Sequence, residues 1–489
     1  MKSVAIIGSG FSSLSAASYL AAAGYSVHIF EKNDSLGGRA RKFEDQGFHF
    51  DMGPSWYWMP EVFESFFADF DHTTSDFYEL IRLDPSYQVI FEDQTLPVPA
   101  TKERFLDMAE ELERGSHEKI SNYLNEAEYK YNTAMKGFVQ KPSLSFTEYL
   151  HPGYLFKALK LNMFNSVSAH VEKVTKNKKL REILEFPVLF LGETPKRIPA
   201  MYSMMNHADI ALGTWYPMGG MHKIIEGFES VARELGVKIH LNSPVERIDI
   251  NALNQAGIVV NGNSRGFDVV VSGADYHHTE QFLLPAQHRT YSPNYWKSKT
   301  FAPSCLIYYI GINRTLPKLE HHNLFFDANF SQHGKEIYET HKWPEDPLFY
   351  VCCPSKTDPS VVPEGCENLF ILIPVSTEIE DSQEIRDEYF EKTKLRIKNQ
   401  TGVDISDHIL VQRSYARSNF ISDYNAYKGN AYGLANTLNQ TAFLKPKMRH
   451  KKIQNLYFTG QLTVPGPGVP PSIISGQIVA NLVSKNHPI

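Results

Sequence analysis

Apolar and polar positions are sharply ordered at the start of the chain. Residues 4–7 form an apolar run with the pattern of a strand buried on both faces. Gly8 and Gly10 interrupt it. Leu14, Ala16, Ala17, Leu20 and Ala21 then recur at helical spacing until Gly24. Residues 27–30 read as a second strand, closed by Glu31. The pattern predicts a βαβ unit with a glycine turn after its first strand. Further on, Phe105, Met108, Ala109 and Leu112 predict a helix within 101–135. Phe156, Leu159, Met163, Val167, Val171 and Val174 make one long apolar stripe over 153–181. A helix at 221–235 and strands at 237–241 and 267–272 resume the βα pattern. Strands at 304–311, 348–352 and 368–374 and a charged helix at 381–399 predict a second, α+β lobe. A strand at 456, a Gly/Pro-rich loop and an apolar helix at 473–483 close the chain.

The resulting expectation is an α/β protein with a discontinuous Rossmann-like domain from 1–60, 220–280 and 450–489. Residues 61–219 and 281–449 form a substrate lobe, with a helical, membrane-contacting region at about 101–190.

Composition narrows the class. The 489 residues are 42% hydrophobic, which suits a large core. No apolar run is long enough to span a bilayer, and the N-terminus lacks a secretory pattern. A net charge of −6 argues against a nucleic-acid binder. Cys305, Cys352, Cys353 and Cys366 show no C-x-x-C spacing, so neither a disulfide framework nor a metal site is expected. Within this acidic chain, Lys157, Lys160, Lys173, Lys176, Lys178, Lys179 and Arg181 face the single acid Glu172. Such a basic amphipathic stretch suits an anionic membrane surface, or equally a core-packed helix with a solvated basic face.

The chemistry begins at the glycines. Gly8 and Gly10 let backbone approach a pyrophosphate resting on a helix N-terminus, where free N–H groups favour anions. Glu31 stands where it accepts hydrogen bonds from ribose hydroxyls. Ser13 replaces the third glycine of G-x-G-x-x-G and is small enough for close helix–strand packing. The segment 36–41, Leu-Gly-Gly-Arg-Ala-Arg, resembles the G-G-R segment of amine oxidase-like flavoproteins and points to FAD rather than NAD. Residues 51–55, Asp-Met-Gly-Pro-Ser, are similar to a D-x-G segment that passes beside the flavin in that group. The glycines before the last helix suit the pyrimidine end of a flavin.

Larger pieces carry a closer resemblance. GSGFSSLSAASYL, EKNDSLGGRAR, DMGPSWYWMP, FLGETPKRIPAMYSMMNHAD, LGTWYPMGGMHKI, VVVSGADYHH and LYFTGQLTVPGPGVPPSIISGQ together resemble the bacterial-type phytoene desaturases, FAD-dependent carotenoid desaturases. The resemblance implies that Gly8, Ser9, Gly10, Phe11, Ser12, Ser13, Glu31, Lys32, Gly38 and Arg39 hold the ADP part of FAD. Val245 meets adenine through its backbone. Gly53, Pro54, Ser55, Gly460, Gly468 and Val469 lie along the ribityl chain and flavin. Gln461 stands where related flavoenzymes often have an acid. The implied substrate is a long apolar polyene, 15-cis-phytoene carried stepwise towards lycopene, with a quinone or oxygen as electron acceptor. The implied location is cytoplasmic and peripheral to a membrane. No catalytic side chain is assigned, and His207, Asp209 and His222 are read as structural. A carotenoid isomerase or a hydroxycarotenoid 3,4-desaturase uses the same scaffold. So does a flavin-free prenyl-binding protein of the Rab GDP-dissociation inhibitor type, against which Gly38-Arg39 and the C-terminal glycine loop argue.

Overall fold

The computed structural model describes residues 1–149, 162–163 and 165–489. The N-terminal unit forms as the pattern predicts: strand Ser3–Ile7, helix Phe11–Ala22 and strand Ser26–Phe30. That helix is buried on nearly every side, which its serines and alanines permit. A Cβ added to Gly476 of the last helix, Val469–Asn486, would stand 2.5 Å from Ser12 O. Small residues on both helices thus set how closely they pack over the sheet.

Five parallel strands form that sheet. Their order is Leu456–Phe458, Val269–Ser272, Ser3–Ile7, Ser26–Phe30, Lys238–His240. This is the doubly wound order, and the winding reverses between Ser3–Ile7 and Val269–Ser272. The strands come from three separate stretches of chain, as the recurrence of the βα pattern predicts.

A second sheet has seven strands. It runs Ile409–Tyr415, Ser304–Ile312, Glu367–Val375, Phe349–Cys352, His322–Phe325, Tyr87–Ile90, Thr95–Val98. Ser304–Ile312 is buried throughout and sends alternate side chains to opposite faces. Cys305, Ile307 and Tyr309 join the main core. Leu306, Tyr308, Ile310 and Ile312 join a separate core beneath helix Gln383–Thr401. The strands Tyr87–Ile90 and Thr95–Val98, the latter at the sheet edge, lie in the expected substrate lobe but were not predicted as strands.

Two predicted helices are broken. The 101–135 stretch forms Lys102–Leu112 and His117–Gly137, parted at Gly115, whose φ is +81°. Of the 153–181 stripe, Phe156, Leu159, Lys157 and Lys160 lie outside the described residues. The described part is two short helices, Val167–Val171 and Lys178–Glu185, not one. The carboxylate of Glu113 accepts from the Lys176 and Asn177 amides at 2.9 and 2.8 Å and holds the turn between them. Val167, Val171, Leu180 and Ile183 are fully buried in the main core, so this part of the stripe packs inward. Among the described residues no helix is long and apolar enough to cross a membrane.

One buried acid gives the fold a pH signature. Asp209 is 1% exposed. Tyr87 donates to one of its oxygens at 2.8 Å, and the other has no partner among the described residues. Burial pushes its carboxyl up to about 7. A carboxyl whose pKa is raised on folding favours the folded state at low pH. That advantage is lost as pH rises from about 4 to about 7. Replacing Asp209 by Asn removes the titration while keeping an acceptor for Tyr87. Relative to wild type, Asp209→Asn should gain stability progressively over that window, on the order of 4 kcal/mol, then stay level. Melting curves from pH 4 to 8 check this; a gap independent of pH contradicts it.

Candidate active site

The crevice at the switch point is built by three chain turns. Gly8 leaves its strand with φ +88°, and its N–H donates to Phe30 O at 2.9 Å. Gly10 is the N-cap of the Phe11–Ala22 helix, with open space where a Cβ would stand. The first-turn amides of a helix lack intrahelical acceptors, so this cradle offers donors to an anion. Gly460, φ +102°, closes the crevice from the C-terminal side. The last helix starts at Gly468, φ +112°. Pro470 and Pro471 lack N–H groups, which leaves Val469 as the only donor among the first three residues of that helix.

Glu31 and Arg39 supply the charge. Glu31 is buried. Its Oε2 accepts from Ser9 N at 3.0 Å and Ser9 Oγ at 2.6 Å, and Oε1 accepts from Asn33 N at 2.9 Å. Oε1 keeps a lone pair for a further donor. Gly53 passes so close to Arg39 that a Cβ on it would stand 2.2 Å from Arg39 O. Arg39 Nη2 donates to Asn430 O at 3.3 Å, and Nε has no partner among the described residues. With its amide oxygen turned inward, Gln461 accepts from Arg39 Nη1 and Nη2 at 3.3 and 3.1 Å. Burial pushes the Arg39 guanidinium pKa down, against the pull of Asp275. A neutral amide at 461 adds no counter-charge to that of Asp275, and Arg39 makes no ion pair among the described residues, so the cation can meet an anion.

Every sequence-predicted site residue except Ser13 lines one cavity of about 1370 Å³. Ser13 instead holds the helix against the neighbouring strand: a Cβ on Gly273 would stand 2.0 Å from its Oγ. The D-x-G segment divides. Met52, Gly53, Pro54 and Ser55 line the cavity, while Asp51 turns away. It caps helix His222–Glu234, accepting from Met221 N at 2.7 Å and His222 N at 2.8 Å. From the dinucleotide elements the cavity continues into the second lobe. There Trp56, Phe186, Met201, Met204 and Met205 line it, with Ile307 and Tyr350 from the larger sheet. Ligand pockets typically enclose about 300–1,000 Å³, so this volume suits a cofactor and a second large apolar molecule together.

The model of the flavin-containing amine oxidoreductases matches residues 11–484. The chain belongs to that family. Its cofactor is FAD, and it is an oxidoreductase. Known carotenoid desaturases are its homologues. It is 41% identical over 485 residues to the carotenoid 3,4-desaturase of Haloarcula japonica, covering 99% of this chain and 98% of the relative. It is 30% identical over 487 residues to the zeta-carotene-forming phytoene desaturase of Myxococcus xanthus, covering 97% and 92%. The structure of an oxidoreductase from Methanosarcina mazei superposes with a TM-score of 0.64 at 17% identity, covering 97% and 99%, and shares the fold.

This flavoprotein carries groups that fit FAD: the open space at Gly10, the unpartnered Nε of Arg39 and the spare acceptor on Glu31. Motif reading passed over Asp275. It follows strand Val269–Ser272, lines the cavity and caps His278 N at 3.0 Å. Burial pushes its carboxyl up to about 6. The signal available was the Gly-Ala-Asp ending of the strand. His207, Asp209 and His222, read as structural, are not among the residues lining the cavity. His222 Nδ1 instead pairs with Ala40 O at 2.8 Å.

Proposed function

We propose that this flavoprotein desaturates a long apolar carotenoid, with cofactor and polyene end to end in the single cavity. The cavity's extent carries the reading: it joins the dinucleotide cradle to a wall of methionines and aromatics. Met side chains adapt to irregular apolar shapes, which suits a stiff chain threaded past them. Gly8, Ser9, Gly10, Phe11, Ser12, Glu31, Lys32, Gly38 and Arg39 hold the ADP half of FAD, and Val245 meets the adenine. Gly53, Pro54, Ser55, Gly460, Gly468 and Val469 follow the ribityl chain and flavin. Residues 1–60, 220–280 and 450–489 are the cofactor-binding part of the molecule, and the remainder is the substrate lobe.

Bound FAD supplies the hydride-accepting chemistry. The chain aligns one allylic C–H bond of the substrate and excludes water. Hydride loss leaves a cation that the polyene delocalises, and loss of a proton from the adjacent carbon completes the double bond. The apolar wall around Phe186, Met201 and Met204 protects that cation from water. Such a substrate resides in a bilayer, which supports peripheral attachment at a membrane surface and a quinone or oxygen as final acceptor.

Phytoene, carried stepwise towards lycopene, is one substrate of this reaction. The relative at 41% identity, a carotenoid 3,4-desaturase by name, favours a second, a carotenoid desaturated at its 3,4 bond, for which a hydroxylated carotenoid is tested. Each is supplied in liposomes with FAD-loaded protein, and products are weighed by mass spectrometry. A product two hydrogens lighter from either substrate supports desaturation and identifies the preferred bond. Intact substrate in both arms, or an isomer of unchanged mass, overturns it.

A further inference from the structure

A buried cluster lies one side chain behind the cavity wall. His322 begins strand His322–Phe325 and pairs in register with Cys352 of the neighbouring strand. His321 precedes it, and Cys353 N donates to His321 O at 2.8 Å. One ring nitrogen of each histidine and Cys352 Sγ lie within 4.8 Å of one another. All three residues are at most 4% exposed. No spacing rule joins them, because the pairing of two strands brings them together.

The surroundings prepare both imidazoles. Tyr350 Oη lies 2.6 Å from His322 Nδ1, donates to Ser55 Oγ at 3.1 Å and also hydrogen-bonds Cys352. Thr357 Oγ1 lies 2.7 Å from His321 Nδ1. With each Nδ1–H donating to its hydroxyl, both Nε2 lone pairs would be available. Neither Nε2 has a hydrogen-bond partner among the described residues. Trp56 stacks on His322 with ring centroids 4.1 Å apart, and Tyr216 packs on His321 at 4.6 Å. Metal-bound histidines usually have their other ring nitrogen held by an outer-shell hydrogen-bond partner, a place these hydroxyls can take. Charge is also favourable. Asp358 acts on His321 and Asp51 on Cys352, so negative charge stands on both sides. A cavity of about 30 Å³, lined by Cys352, Asp51, Ser55 and Tyr216, adjoins the cluster.

We propose that His321, His322 and Cys352 form a binding site for one borderline-soft divalent cation of the zinc class. A tetrahedral zinc ion separates such ligands by roughly 3.5 Å, so modest side-chain closure completes the site. Two neutral imidazoles and a thiolate are a donor set that zinc takes and that magnesium or calcium refuses. Zinc takes the thiolate, so binding exchanges the Cys352 S–H for S–Zn and releases that proton to solvent. The bound ion ties residues 321–322 to strand Phe349–Cys352 and stiffens the wall that presents Tyr350 to the cavity.

The test uses FAD-loaded protein expressed in zinc-supplemented medium, so that the ion enters as the chain folds. Metal content after gel filtration should be one zinc per chain. Zinc-edge X-ray absorption should show one sulfur and two imidazole nitrogens. Cys352→Ser should remove the sulfur shell and weaken binding at least ~100-fold. Thr357→Val, which touches neither cavity nor ion, should weaken it about 10–100-fold through the His321 ring. Cys353→Ser keeps all three ligands and should retain zinc. Zinc well below one per chain in wild type overturns the site. So does a sulfur-free shell, or one unchanged in Cys352→Ser.

Discussion

Glu31→Ala should leave the protein unable to retain FAD. The Glu31 carboxylate does two jobs at once. It fixes the glycine turn by accepting from Ser9 N, Ser9 Oγ and Asn33 N. In the proposed complex it also accepts from the ribose. Alanine leaves the buried Ser9 N and the part-buried Asn33 N unpaired in the turn, and an orphaned buried donor costs about 1–3 kcal/mol. FAD affinity should fall at least ~100-fold. Glu31→Gln keeps one carbonyl oxygen and should lie between the two. Flavin absorbance after gel filtration and a fluorescence titration of apoprotein with FAD measure this. Full retention in Glu31→Ala contradicts the placement of the ribose.

Arg39→Gln should act with opposite sign on apoprotein and holoprotein. In the apoprotein Arg39 is a half-buried cation whose Nε has no partner among the described residues, with a neutral Gln461 beside it and Asp275 acting on it only at longer range. A partly desolvated charge without a direct ion pair opposes folding. Removing it should raise the apoprotein melting temperature. With FAD present the same cation meets the pyrophosphate, and its loss should weaken FAD binding ~100-fold or more. Because a ligand stabilises by its occupancy and affinity, the holoprotein variant should melt below holo wild type. Thermal melts with and without saturating FAD read the reversal. A drop of equal size in both forms would make Arg39 purely a framework residue.

The parts legible in the sequence are those with local signals. The first βαβ unit is written in a strand run, two glycines, a helical stripe and an acid within about thirty residues, and each forms as read. The return of the chain to the same sheet at 269–272 and 456–458 was legible for the same reason. The larger sheet was only partly legible. Its strands at 304–312 and 367–375 are long and apolar, but Tyr87–Ile90 joins by a parallel pairing across more than two hundred residues. Nothing in its own short pattern announces that. The side-chain direction of Asp51 was not legible for a related reason. A motif places a residue near the cofactor but does not say which way its side chain turns, and here the helix at His222 claims it. The described part of the 153–181 stripe keeps helical spacing across a turn that Glu113 fixes from the end of another helix. His321, His322 and Cys352 meet only through strand register, which cysteine spacing cannot reveal.

The most direct test of a flavin-driven desaturation in one shared cavity is an anaerobic single turnover. FAD-loaded protein is mixed with one equivalent of carotenoid in liposomes, with no other acceptor present. Flavin absorbance and product mass are followed together. The cavity geometry predicts that the oxidised-flavin band bleaches in step with the product. Each flavin reduced should yield one carotenoid two hydrogens lighter. A lighter or isomerised carotenoid formed while the flavin stays oxidised would contradict it.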